Sequence, residues 1–245
     1  MIQLVTLDMA GTTVTDHHEV EACFAEAARQ TGLTVSNERI LAMQGLHKYF
    51  VFQTLWEEIL GTRTHPEWQT RVDKSYNAFT DVLENHYLTH DLTPTEGCLE
   101  LFDFLHKKNI QIALTTGFYR KVCDIILKKL GWLEGLNEQR VGNASTLIQA
   151  SITSDEVEKG RPAPFMIQKA MRLLGVHNPK AVINVGDTPS DIQSGFAAGC
   201  QMSLAVTNGT HSAEQLAPHQ PTQLIGSLQE VIQLIDSGQF NVDNV

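Results

Sequence analysis

The chain has 245 residues, ordinary hydrophobic (42%) and charged (19%) fractions and a formal net charge of -10, the profile of a globular protein with one large core or a core plus a smaller domain. That acidic excess excludes a general nucleic-acid surface, which needs a basic stripe, so any affinity for phosphate must be local. Cys23, Cys98, Cys123 and Cys200 lack paired spacing, no apolar run approaches a bilayer span, and the start of the chain lacks a signal-peptide pattern, so reduced thiols, a cytoplasmic location and no membrane partner are expected. In chain order, an apolar run from residue 2 to 7 reads as a buried strand that ends on Asp8 and a Gly11-Thr12-Thr13 turn. A helical interval follows, with helices expected near 19 to 31 and 36 to 44, then stripes at helical spacing: Phe52, Leu55, Trp56, Ile59 and Trp68, Val72, Tyr76, Phe79, Leu83, Tyr87. These stripes read as core, and the polar stretch from 88 to 95 as a return linker.

From about residue 95 helix and strand alternate. Helices are expected to Lys108, to Leu130, from 163 to 175 and to Gly199; strands fall at 110 to 114, 181 to 185 and 202 to 206, with a last strand and helix from 222 to 236. At most one strand fits between 134 and 153. The alternation implies an α/β fold, a doubly wound parallel sheet with helices on both faces, into which an α-helical cap is inserted after the first strand. Residues 1–15 and 92–245 would form the core domain and 16–91 the cap.

Open parallel sheets bind ligands beyond the carboxyl ends of their strands, which is where the chemistry-bearing residues collect. Asp8 ends the first strand, and the strand at 181 runs into Gly186-Asp187-Thr188-Pro189-Ser190-Asp191. Three carboxylates in one small volume call for a cation, and with no His or Cys close to either motif magnesium suits the site better than zinc. The strand at 110 delivers Thr115-Thr116-Gly117 to the same edge, offering hydroxyls and backbone N–H groups to a phosphate. In Lys159-Gly160-Arg161-Pro162, Arg161 can balance phosphoryl charge bidentately. Taken singly, Thr116 reads as a helix N-cap and Arg161 as a surface cation.

As an ordered set, Asp-Met-Ala-Gly-Thr-Thr, Thr-Thr-Gly-Phe, Gly-Arg-Pro-Ala-Pro and Gly-Asp-Thr-Pro-Ser-Asp resemble the motifs of the haloacid dehalogenase (HAD) superfamily of phosphohydrolases, and within it the phosphonatase branch. The resemblance implies a Rossmann-like core and a small phosphorylated or phosphonate metabolite as substrate, and allows for a homodimer. Asp8 would attack phosphorus and become an aspartyl phosphate. Magnesium would be held by Asp8, the Ala10 carbonyl and Asp187, with Asp191 in support. Thr12, Thr116, Gly117 and Arg161 would bind the phosphoryl group.

Most members of the superfamily carry a second Asp two residues after the nucleophile, which protonates a leaving alcohol; this chain has Ala10. Loss of a positioned acid costs an alkoxide departure a factor of roughly 10²–10⁴. Phosphonatases share the Ala, because carbon departs from phosphorus, and use a cap lysine that forms an imine with the substrate aldehyde. Gly45-Leu46-His47-Lys48 resembles the segment bearing that lysine, which makes Lys48 a catalytic and substrate-binding candidate; read alone, a helix lysine is a solvated charge. The pattern departs at the extra Gln44, at Val51 where the branch has His, and at Phe118 where it has Tyr. The expected activities are therefore a phosphonatase-like hydrolase, hydrolysis of phosphonoacetaldehyde itself, a phosphoglycolate-type phosphomonoesterase, or a non-catalytic binding protein on the same scaffold.

Overall fold

In the computed structural model, which describes residues 1–238, six strands form one parallel sheet. They are β1 (Leu4–Leu7), β2 (Gln111–Thr116), β3 (Ala150–Thr153), β4 (Val182–Gly186), β5 (Met202–Val206) and β6 (Gln223–Ile225), in the order β3-β2-β1-β4-β5-β6. β1 pairs with β2 in the register Leu7↔Leu114 and with β4 in the register Leu7↔Val185. The chain therefore winds outward in both directions from β1, and the crevice at such a switch point opens directly above Asp8. β1 and β4 are buried along their whole length, which is why their sequences read as unbroken apolar runs rather than as alternation.

Of the five helices between β1 and β2, the first four are α1 (Glu19–Thr31), α2 (Asn37–Ala42), α3 (Lys48–Leu60) and α4 (Trp68–Thr89). α1 buries Val20, Cys23, Phe24, Ala27 and Ala28, one stripe at helical spacing. Phe24 stacks on Phe52 at 4.4 Å, and Phe79 packs against both at 5.7 and 5.9 Å. This three-ring cluster welds α1, α3 and α4 together. Ile59, expected in the α3 stripe, is instead 48% exposed; in this last turn it is the next residue, Leu60, that packs against the core.

The two crossings between helices and sheet run side by side. The Thr15 amide donates to the Thr93 carbonyl at 3.0 Å, and the Thr95 amide to the Thr13 carbonyl at 3.1 Å. The remaining helices cover the sheet: α5 (Cys98–Lys107), α6 (Arg120–Lys129), α7 (Phe165–Leu173), α8 (Pro189–Ala197), the short α9 (Ala213–Leu216) and α10 (Gln229–Ser237). All four cysteines are buried and free. No helix among the described residues is long and apolar enough to cross a membrane.

Candidate active site

Strand ends set the site. β1 carries Asp8 out of the sheet, and the turn after it crosses so close to Asp187 that a Cβ on Gly11 (φ +80) would lie 2.3 Å from Asp187 Oδ2. Only glycine serves there. Asp187 follows β4 and is fully buried; Thr12 Oγ1 donates to its Oδ1 at 3.1 Å, and the Thr210 amide and hydroxyl donate to its Oδ2 at 2.8 and 2.7 Å. Asp191, in the first turn of α8, accepts from the Thr188 hydroxyl at 2.5 Å and the Thr188 amide at 3.1 Å. That reciprocal cap fixes its carboxylate toward the sheet.

Arg161 is buried rather than a surface cation. Nη2 donates to Asp8 Oδ1 at 2.6 Å and to the Thr115 carbonyl at 2.5 Å, while Nη1 lies 2.7 Å from Asp191 Oδ1. One guanidinium thus faces two of the three acids, and the cluster remains short of positive charge. Burial, reinforced by Asp191 and Asp187 against the pull of Arg161, raises the Asp8 carboxyl to about 8. Burial and then Asp191 raise Asp187 to about 6. Oxygens of Asp8, Asp187 and Asp191 all lie within 4.8 Å of one another. An all-oxygen, buried, electron-rich donor set of this kind fits a hard divalent cation.

Above the acids is a cavity of about 30 Å³ whose walls include Asp8, Ala10, Thr116, Gly117, Arg161 and, from the helical side, Lys48. Lys48 is 6% exposed, at the start of α3, and its amine donates to Gln44 Oε1 at 3.0 Å. Burial lowers the amine from 10.5 to about 8, with Asp16 and Asp8 pulling it back up. The neighbouring His47, the non-helical residue just before α3, faces instead a cleft of about 750 Å³ shared with Phe50, Lys159 and Arg161. Thr116 does not cap α6; its hydroxyl accepts from the Phe118 amide at 3.2 Å. Thr12 holds Asp187 instead of lining the cavity, so its hydroxyl reaches a phosphoryl group only by giving up that bond.

Three residues at the site were not singled out as functional from sequence. Asp16 lines the cavity but lies where the chain enters the helices and looks like a capping residue; Gln44 looked like a mere insertion. Thr210 follows β5 in an Asn-Gly-Thr turn, and its position beyond a strand's carboxyl end was the available signal.

A profile of the haloacid dehalogenase-like hydrolase family matches residues 2–199. Over 213 residues the chain is 30% identical to a phosphonoacetaldehyde hydrolase of Bacillus cereus (strain AH187), covering 81% of this chain and 73% of that protein. Among solved structures, a phosphonoacetaldehyde hydrolase-like protein from Oleispira antarctica superposes with a TM-score of 0.76 at 19% identity, covering 99% of this chain and 95% of that one. A predicted phosphoglycolate phosphatase from Haemophilus somnus gives 0.72 at 16% identity over 96% and 98%. At such identities the structural matches speak for the fold.

Proposed function

The chain belongs to the haloacid dehalogenase-like hydrolase family and is a phosphohydrolase; from that premise we propose that it is a magnesium-dependent phosphonatase-like enzyme whose substrate is a small organophosphorus metabolite bearing an aldehyde. One observation carries this reading: the amine of Lys48, buried and lowered to about 8, lines the same cavity as Asp8. The cap of this reading is the unit 16–91, and residues 1–15 and 92–245 are the catalytic core.

Asp8 is the nucleophile, its carboxylate attacking phosphorus in line with the departing group. Arg161, Thr116 and the Gly117 amide bind the phosphoryl oxygens, and the guanidinium that now neutralises Asp8 and Asp191 shifts part of its charge to the substrate. Asp8, Asp187 and the Ala10 carbonyl, with Asp191 in support, would hold magnesium, which would supply positive charge against the repulsion between the Asp8 carboxylate and the anionic substrate. On the cap side, Lys48 forms an imine with the substrate carbonyl, which gives the electrons of the breaking P–C bond a place to go. Gln44 holds the amine in the cavity. Water then releases phosphate from Asp8 and the organic fragment from Lys48.

A second reading, a phosphomonoesterase, draws on the same Lys48–Gln44 contact, which would also suit an amine that anchors a substrate carboxylate or phosphate. Turnover separates the two. The proposal expects phosphate and acetaldehyde from phosphonoacetaldehyde, abolished in Asp8→Asn and in Lys48→Arg, since Arg keeps the charge but forms no imine. Retained turnover in Lys48→Arg would favour the ester reading.

A further inference from the structure

Two pockets approach one short stretch of chain, residues 15 to 19, from opposite sides. Inward, Asp16 lines the catalytic cavity with Asp8 and Lys48. Outward, Glu19 lines a separate surface pocket of about 200 Å³ together with His17, His86 and His90. The side chains of Asp16 and Glu19 are in hydrogen-bond contact, the Glu19 amide donates to Asp16 Oδ1 at 2.8 Å, and the His17 amide donates to the Glu19 carboxylate. The rings of His86 and His90 stack at 4.2 Å. Carboxyls in contact thus connect a histidine-lined surface to the interior of the site.

Helix capping explains part of this arrangement, because an acid that accepts from the Glu19 amide stabilises the start of α1. Capping employs one oxygen and is served as well by Ser or Asn. It does not call for a carboxyl in the cavity wall backed by a second acid. The cavity wall, meanwhile, has Ala10 and Phe118 where relatives carry an acid and a Tyr, and Val51, outside that wall, stands where the related branch has His.

We propose that Asp16 and Glu19 form a proton relay from the histidine-lined surface pocket to the catalytic cavity, with Asp16 giving protons to, and taking them from, the organic part of the substrate. The inference rests on the reading of Lys48 as the imine-forming residue. When the Lys48 amine adds to the carbonyl carbon, the oxygen departs as water with one proton from the nitrogen and one from Asp16, leaving a protonated imine. As the P–C bond breaks, phosphorus passes to an Asp8 oxygen and the bonding pair flows into the imine, giving an enamine. Asp16, reprotonated through Glu19 from solvent, then protonates the enamine carbon.

The groups facing Asp16 are Glu19 and Cys23 of α1, Lys48 of α3, Tyr87 of α4 and Asp187 beyond β4. Burial, and then the Glu19 carboxyl, raise Asp16 to about 8, whereas the Glu19 carboxyl is lowered. The shared proton therefore resides on the inner acid at neutral pH.

The test uses the magnesium-loaded enzyme, in which the acids at the metal are ionised. Infrared spectra at neutral pH should show a protonated carboxyl band that disappears in Asp16→Asn. Asp16→Asn and Asp16→Ser preserve the cap, so thermal stability should stay near the parent's while kcat on phosphonoacetaldehyde falls by roughly 10²–10⁴ with little change in KM. Glu19→Gln interrupts the relay and removes a like charge, so kcat should fall and its alkaline limb should move to lower pH, and parental kcat in this variant would remove Glu19 from the relay. Parental kcat in both capping variants, or no band assignable to Asp16, would overturn the relay. If borohydride traps the substrate on Lys48 and the Asp16 variants are unimpaired, the relay falls and the proposed function stands. If nothing is trapped, yet Asp16→Asn loses turnover of ethyl phosphate by the same factor, the imine reading falls and Asp16 remains the proton donor.

Discussion

Gly45→Ala should block closure of the helical unit over the acids. Gly45 has φ +76, and a Cβ there would lie 2.3 Å from Ser190 Oγ and 2.6 Å from Thr188 Oγ1, while a Cβ on Gly117 would lie 2.8 Å from the Gly45 carbonyl. The cap backbone therefore rests on the loops that bear Asp187 and Thr116 with no room for a methyl group. Overpacking of this kind costs about 1–3 kcal/mol. Left-handed strain adds about 1–2 kcal/mol, but that burden is present whether or not the cap docks. The steric part alone opposes closure, and at 1.36 kcal/mol per tenfold it predicts a loss of about 5- to 150-fold in kcat/KM. Gly61→Ala is the control: its φ is +80 but nothing lies within 4 Å of the added methyl. It should lose stability by about 1–2 kcal/mol and keep its kcat/KM. Parental kcat/KM in Gly45→Ala, or equal losses in both variants, would refute the closed-cap account.

Further outcomes follow from the same geometry. The Lys48 amine is lowered from 10.5 to about 8, so its neutral, nucleophilic fraction is half at pH 8: the rate of imine trapping should rise through that pH and level off above it, and a limb near the ordinary lysine value would contradict the burial argument. Asp187→Ala should abolish magnesium binding measured calorimetrically, whereas Asp191→Ala should weaken it less; equal losses would make Asp191 a direct ligand. Chelation should remove activity, magnesium restore it, and calcium, with looser coordination, support it poorly. Phe52→Ala empties the three-ring cluster of the cap and should cost about 3–5 kcal/mol in denaturant unfolding, a smaller loss showing that α1, α3 and α4 collapse into the space.

The parallel sheet was legible because buried strands such as residues 182–186 are written as apolar runs, and the acids that end β1 and β4 follow directly from where those runs stop. Lys48 was legible only through its resemblance to a family segment, since nothing local distinguishes a buried helix lysine from a solvated one. Asp16 and Thr210 escaped because a carboxyl before a helix and a Thr after Asn-Gly have ordinary roles in caps and turns; only the folded chain brings them to the cavity and to Asp187. Gln44 carried no signal at all until Lys48 was seen to bond to it. Ile59 shows the converse, as periodicity assigned it to the core face where Leu60 packs instead.

The central claim is that Asp8 and Lys48 act on the same molecule from opposite walls of one cavity. Borohydride reduction during turnover of phosphonoacetaldehyde, followed by mass spectrometry of the digested protein, tests it directly. The account predicts a reduced two-carbon adduct on Lys48 in the parent, and in Asp8→Asn an adduct on Lys48 that retains the phosphono group because the P–C bond can no longer be cut. Phosphate release with no modification of Lys48 would contradict it.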